Sequence, residues 1–204
     1  EAFEGLDRAR ENAEANLKNA RELLFSILNE AFRPQRNLSN EPSEELNLQY
    51  LGDLCRIVGG GTPSKKNGSF WTGDIPWVSP KDMKFNTITD TFDHISAEAA
   101  EKSATNLVPA GAILLVVRSG ILARKIPIAT AGRELSINQD LKAIIPNSNI
   151  ISSFIAYFLR ASEIDLLAKV SLGATVHKLD TPVIKGLRVP VPSIDDQKNL
   201  VTRL

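Results

Sequence analysis

Residues 112–146 read AILLVVRSGILARKIPIATAGRELSINQDLKAIIP. Three β-type segments stand in this stretch: Ala112–Arg118, Lys125–Thr130 and Leu141–Pro146. Each is rich in Val, Ile and Leu, and turn-forming residues bound them. The two predicted helices nearest to them, Ala97–Thr105 and Ser152–Lys169, flank the stretch without interrupting it. Strands that follow one another with no helix between them exclude regular βαβ units. They predict an irregular, mixed α/β domain of the α+β class.

Working outward, further strands are expected at Tyr50–Val58, Ile75–Ser79 and Leu187–Val191. Turn-rich loops join them at Gly59–Gly68, Ser79–Thr91 and Ser171–Thr181. The compact domain therefore spans 48–192. Residues 34–47 (PQRNLSNEPSEELN) contain two prolines and no periodicity, which predicts a linker. Residues 1–33 predict one long helix. Leu6, Ala9, Ala13, Leu17, Ala20, Leu24, Ile27 and Ala31 recur at steps of three and four, a heptad seam with one slip. So narrow an apolar stripe needs a partner helix. The candidate helix interface is Leu6, Ala13, Leu17, Ala20, Leu24, Ile27 and Ala31. At the other end, 193–204 begins a second helix, with Ser193 as N-cap and Asp196 as its capping-box partner. Set end to end, Val201, Leu204, Phe3 and Leu6 continue one stripe in phase. The chain, opening on Glu1 and ending in mid-pattern, reads as a fragment; either the native protein repeats the unit, or the cut passes through a recurring helix.

Twenty-four basic and 24 acidic residues cancel over 204 positions. Zero net charge argues against non-specific coating of nucleic acid and against a basic membrane-surface protein. The longest apolar run, Ala112–Val117, falls far short of the ~20 residues that span a bilayer. A single cysteine, Cys55, permits no internal disulfide and fits a cytoplasmic setting. The cancellation hides a gradient. Residues 111–192 hold ten bases against five acids, and 1–50 hold six bases against ten acids. Such asymmetry predicts an anionic partner for one face.

No catalytic constellation emerges. His94 and His177 are isolated, so no metal site is expected. Gly59-Gly60-Gly61 has neither P-loop nor dinucleotide-binding spacing and predicts a tight turn. Asp195, Asp196 and Lys198 echo half of a nuclease motif, but helix capping explains them better. Cys55 reads as a small buried hydrophobe. The loops offer binding chemistry instead. Thr62, Ser64, Lys65 and Lys66 share one loop, and Lys81 and Lys84 share the next. Arg118, Arg124 and Lys125 flank a turn, Asn138-Gln139 follows Ile137, and His177-Lys178 lies near a glycine. Lys and Arg neutralise phosphates, while Asn, Gln, Arg and Ser can read base edges.

Several stretches together resemble a known family. They are Leu51-Gly52-Asp53-Leu54, Gly60-Gly61-Thr62-Pro63-Ser64, Trp71-Thr72-Gly73-Asp74-Ile75-Pro76-Trp77-Val78-Ser79-Pro80-Lys81-Asp82-Met83, and Ile137-Asn138-Gln139-Asp140. The exit Val189-Pro190-Val191-Pro192 with Asp196-Gln197-Lys198 completes the set. They are similar to the target recognition domain of type I restriction–modification specificity subunits (HsdS). The ends of the chain resemble the distal part and the start of that family's conserved spacer helix. The resemblance implies a non-catalytic subunit that reads one half of a bipartite double-stranded DNA target. It implies an adenine-N6 methyltransferase (modification) subunit that uses S-adenosylmethionine, and a restriction subunit that uses ATP and Mg; this chain holds no cofactor. With one recognition domain the chain resembles a half-subunit, which would self-associate through its helices into a homodimer. The residues alone leave a rival open, a coiled-coil scaffold or antirestriction decoy that binds the methyltransferase without reading DNA. No N-P-P-[YFW] run is present, so base flipping belongs to a partner.

Overall fold

The computed structural model describes residues 47–173 and 176–203, and six helical, exposed positions further N-terminal (Gly5, Arg8, Asn12, Ala15, Asn16 and Asn19). The seam residues Leu6, Ala13, Leu17, Ala20, Leu24, Ile27 and Ala31 lie outside the described residues. The chain divides into an N-terminal unit, Glu1–Glu44, and a second unit, Glu45–Arg203.

Within the second unit, Ile113–Val116 (β7) forms the centre of the core, all four side chains being buried. A strand buried on both faces reads as a continuous apolar run, and ILLV is one. Leu141–Pro146 (β10) and Ile128–Ala131 (β8) pair antiparallel with its two edges. Cys55–Gly59 (β2) closes one side and Thr87–Ile88 (β4) the other, giving the order β2-β10-β7-β8-β4. A second sheet has the order β5-β3-β9-β6, formed by His94–Ile95, Ile75–Val78, Leu135–Ile137 and Leu107–Val108. Leu48–Tyr50 (β1) pairs with Arg188–Pro190 (β13), and Ser171–Leu172 (β11) pairs with His177–Lys178 (β12).

Ser152–Ala161 (α3) lies across β7, β8 and β10. Its Phe154, Ile155, Phe158 and Leu159 are buried, at the spacing of one helical face. The expected helix Ser152–Lys169 is two helices, because the chain turns at Ser162. The Ser162 hydroxyl donates to the Phe158 carbonyl (2.9 Å), a local bond that competes with helix continuation. Glu163–Leu167 (α4) then takes a new course, and Glu163 Oε1 accepts the Ile126 N–H (2.7 Å). The expected strand Tyr50–Val58 is also interrupted. Leu51–Leu54 (α1) is a helical turn with Leu51 and Leu54 buried on one side. It packs on Thr181–Lys185 (α5), where Gly52 lets the Lys185 side chain approach; a Cβ on Gly52 would lie 3.1 Å from Lys185 Cβ. The expected helix Ala97–Thr105 is shorter, Ala97–Lys102 (α2), capped by Ser96.

Ile194–Arg203 (α6) begins at Ser193, whose Oγ accepts the Asp196 N–H (3.2 Å) and donates to Asp196 Oδ2 (2.6 Å). Gln197 is fully buried in this helix and ties it to the domain. Its Oε1 accepts from Ile151 N–H (3.0 Å) and its Nε2 donates to the Pro192 carbonyl (3.1 Å). Ser193→Ala should cost about 1 kcal/mol, a fall of roughly 2–4 °C in thermal unfolding. No described helix is long and apolar enough to cross a membrane.

Candidate nucleic-acid interface

Strand direction decides where the predicted loops go. β3 and β9 run parallel, with Val78 opposite Ile137, so the segments that follow them leave from the same end. Those segments are Ser79–Lys84 and Asn138–Asp140. β7 ends with Val116 opposite Leu141, which places Val117–Lys125 beside the start of β10. β2 ends with Gly59 opposite Lys142, so Gly60–Asn67 leaves from there too. β12 joins through an antiparallel bridge between Arg118 and Lys178. The loops that carry all thirteen predicted DNA-contact residues therefore crown one end of the domain.

Backbone bonds weld these loops together. Gly61 N–H donates to the Ile137 carbonyl (3.0 Å), and Asn138 N–H to the Val78 carbonyl (2.9 Å). Val117 N–H donates to Asp140 (2.8 Å), Ser119 N–H to His177 (3.1 Å), and Leu179 N–H to Val117 (2.8 Å). The Gly59–Gly61 run is not the expected tight turn. Among the described residues only Gly111 has a positive φ (83°). The run is a close backbone approach: a Cβ on Gly60 would lie 2.1 Å from the Ile137 carbonyl oxygen.

Trp77 is buried and its indole N–H donates to the Gly61 carbonyl (2.9 Å). Trp71 meets Trp77 edge-on, with ring centroids 5.1 Å apart, and donates to the Ser64 carbonyl (3.3 Å). On this aromatic floor Thr62, Ser64, Lys65 and Lys66 are exposed. The Thr62 hydroxyl bonds the Gln139 side-chain carbonyl, joining two predicted loops. Lys81 and Lys84 are exposed on a turn organised by Asp82. Asp82 Oδ2 accepts from both the backbone N–H and the hydroxyl of Ser79 (each 2.8 Å). Asp82→Ala should cost roughly 1–3 kcal/mol. Hydrogen exchange at the Ser79 amide should rise about tenfold or more, which amide-exchange spectra would read.

Arg118 is half-exposed, and its Nε donates to Asp140 Oδ1 (2.7 Å). Held by Nε, the guanidinium has two terminal nitrogens that bond no side chain among the described residues and can meet a bidentate acceptor. Arg124 and Lys125 are exposed where the 3₁₀ turn Gly120–Ala123 ends. Lys178 pairs with Asp180 (2.5 Å), and His177 is half-buried beside it. Asn138 is only 5% exposed. Its Oδ1 accepts the Asp140 N–H (2.9 Å) and its Nδ2 donates to Asp140 Oδ2 (3.2 Å), so the amide shapes the loop. Gln139, next to it, is the exposed member of the pair.

Sequence reasoning missed Lys142. It is half-buried in β10 with its ammonium close over Gly59, and it makes no ion pair among the described residues. A lone lysine inside an apolar strand was the available signal. Elsewhere, Asp195 pairs with Lys198 (3.0 Å) on the exposed face of α6, and Asp196 serves the cap. Cys55 is buried, and burial pushes its thiol pKa up to about 12, so it stays neutral. His94 bonds Asp90 (2.7 Å) and holds that carboxyl below the usual range. A polar recess of about 680 Å³, lined by Asn47, Asn147, Asn149 and Gln197 among others, lies at the domain's opposite end.

The family model described as "Type I restriction modification DNA specificity domain" matches residues 44–204. The chain is 38% identical over 159 residues to the EcoR124I/EcoR124II specificity subunit of Escherichia coli, covering 77% of this chain and 39% of that protein. It is 29% identical over 165 residues to the MjaIX specificity subunit of Methanocaldococcus jannaschii, covering 79% and 37%. It thus spans about two fifths of these relatives. The fold is like that of the HsdS subunit of Thermoanaerobacter tengcongensis (TM-score 0.66, 19% identity, 97% of this chain and 46% of that one). A chain from a structure of type I R-M complex assembly and conformational transition is similar too (TM-score 0.70, 20% identity, 97% and 47%). A single loop-crowned domain, matched along its whole length, assigns the chain to the type I restriction–modification DNA specificity family.

Proposed function

We propose that the chain is the non-catalytic specificity subunit, or half-subunit, of a type I restriction–modification system. It reads one half of a bipartite DNA target through the crown of loops. It docks an adenine-N6 methyltransferase subunit, which brings S-adenosylmethionine, and a restriction subunit, which brings ATP and Mg. Association through Leu6, Ala13, Leu17, Ala20, Leu24, Ile27 and Ala31 would pair two copies and give a symmetric, interrupted target. The observation that carries the reading is the convergence of cationic loops from separate strands onto one end, with Arg118 aimed by Asp140. Cations set the register on phosphates, and a fixed guanidinium suits the O6/N7 edge of guanine.

Sequencing the adenines methylated in cells that carry the system defines the target. Arg118→Ala in the assembled complex should then relax one base position by about 1–3 kcal/mol and leave the others unchanged. Equal retention of every duplex by the assembled complex would sink the reading.

A further inference from the structure

Among the described residues the three most exposed large apolar side chains are Phe92, Leu172 and Phe85, at 88%, 77% and 73% of full exposure. Scattered surface hydrophobes are ordinary, but a concentration at one place asks for a reason. All three stand at the loop-bearing end. Phe92 N–H points to Asp82 Oδ1 (3.5 Å), the carboxylate that organises the Ser79–Lys84 turn. Its neighbour Asp93 accepts the Trp77 N–H (2.9 Å), which sets Phe92 level with the end of β3. Phe85 follows Lys84 directly, and the Asn86 carbonyl accepts the Thr130 N–H (2.8 Å). Leu172 pairs with His177 on the neighbouring hairpin.

Phe85 follows Lys84 on the segment that enters β4, Phe92 lies on the segment that leaves it, and bonds to the sheets hold both segments. The rings are therefore displayed on stiff supports, Phe85 beside Lys84 and Phe92 beside Asp93. A duplex gripped by its phosphates offers apolar surface chiefly inside its base stack, and reaching it means opening a step. We propose that Phe85 and Phe92 form an apolar wedge that enters the stack of the bound duplex at one step and kinks it. The inference rests on the DNA-reading function proposed above and adds a second source of selectivity. Pyrimidine–purine steps open most readily, so the half-site should carry one where the wedge enters, at a position no polar side chain need touch.

The test uses the full chain assembled with its methyltransferase subunit, on target duplexes carrying 2-aminopurine at successive positions and a dye pair at the ends. Apart from the adenine that the methyltransferase subunit flips, the wild-type complex should brighten 2-aminopurine several-fold at one step and shorten the end-to-end distance. The Phe85→Ala/Phe92→Ala variant should lose both signals and bind the target about tenfold more weakly. Its salt dependence should stay unchanged, because no phosphate contact is lost. Phe92→Leu should keep most of the signal, since an aliphatic wedge also separates bases. Unchanged brightening and bending in the double variant overturn the proposal. So does a variant that fails to assemble with the methyltransferase subunit, which would make the patch a protein-docking surface. A selective wild-type complex with a flat 2-aminopurine profile overturns the wedge alone, and an unselective one overturns the DNA-reading function with it.

Discussion

Alanine at Lys65, Lys66, Lys81 and Lys84 together is expected to flatten the salt dependence of DNA binding by roughly three to four units of slope. Each phosphate contact releases a counterion worth about 0.9 of a unit. At 0.1 M salt the same arithmetic makes the loss on the order of a thousandfold, for target and non-target duplexes alike. The fold should not notice. All four side chains are exposed, and the one ion pair they make among the described residues, Lys81 with Asp93 at 4.0 Å, joins two solvent-accessible groups. Pairs of that kind contribute about 0–1 kcal/mol. Melting within about 2 °C of the wild type, together with a collapsed salt slope, is the result to look for in titrations from 50 to 300 mM salt, ~10-Å screening included. An unchanged slope would remove these lysines from the interface.

Gly60→Ala is expected to act in the opposite sense, on the fold first and on binding through it. A Cβ there would lie 2.1 Å from the Ile137 carbonyl oxygen and 2.2 Å from that of Asn138. Both obstacles are backbone, so no side chain can swing aside. Either Gly59–Gly61 must lift away from β9 or the Asn138–Asp140 turn must move. We expect a loss of about 3 kcal/mol or more, seen as a melting temperature lower by roughly 6–12 °C. The surviving native fraction should bind target more weakly than its folded amount explains, because Thr62 would leave Gln139. Gly68→Ala is the matching control: nothing lies within 4 Å of a Cβ there. It should melt within about 1 kcal/mol of wild type.

What the sequence made legible was the part of the fold with its own local pattern. β7 is an apolar run and β10 is one broken only by Lys142, and both were placed, while the strand expected at Lys125–Thr130 is Ile128–Ala131. β4, β5 and β6 are two residues long. Such pieces exist only by pairing with a distant partner, so no local pattern announces them. The turn at Leu51–Leu54 hid inside an apolar stretch, because burial at i and i+3 decided it. The candidate interface divides in the same way. Lys65, Lys66, Lys81 and Lys84 were legible as loop cations. Asn138 was read as a base-reading amide, yet its side chain is buried and bonded to Asp140. Phe85 and Phe92 escaped notice because a phenylalanine in a sequence reads as core until its surroundings are known.

The residues that made the family recognisable are mostly those of the frame. Gly60 and Gly61 permit the close approach, Trp77 reaches back to the Gly61 carbonyl, and Asp82 ties its own turn. The bonds that weld one loop to the next are largely between peptide groups: Gly61 to Ile137, Asn138 to Val78, Val117 to Asp140, Ser119 to His177. A peptide group is supplied by any residue except, for the N–H, proline. The exposed tips can therefore exchange side chains without loosening what carries them. The crown behaves as a type-setter's forme, in which the chase stays locked while the letters are changed. A new target word requires only new letters, and libraries randomised at Lys65, Lys66, Gln139 and Lys178 should stay folded far more often than libraries of equal size drawn from Gly60, Trp77, Asp82 and Asn138.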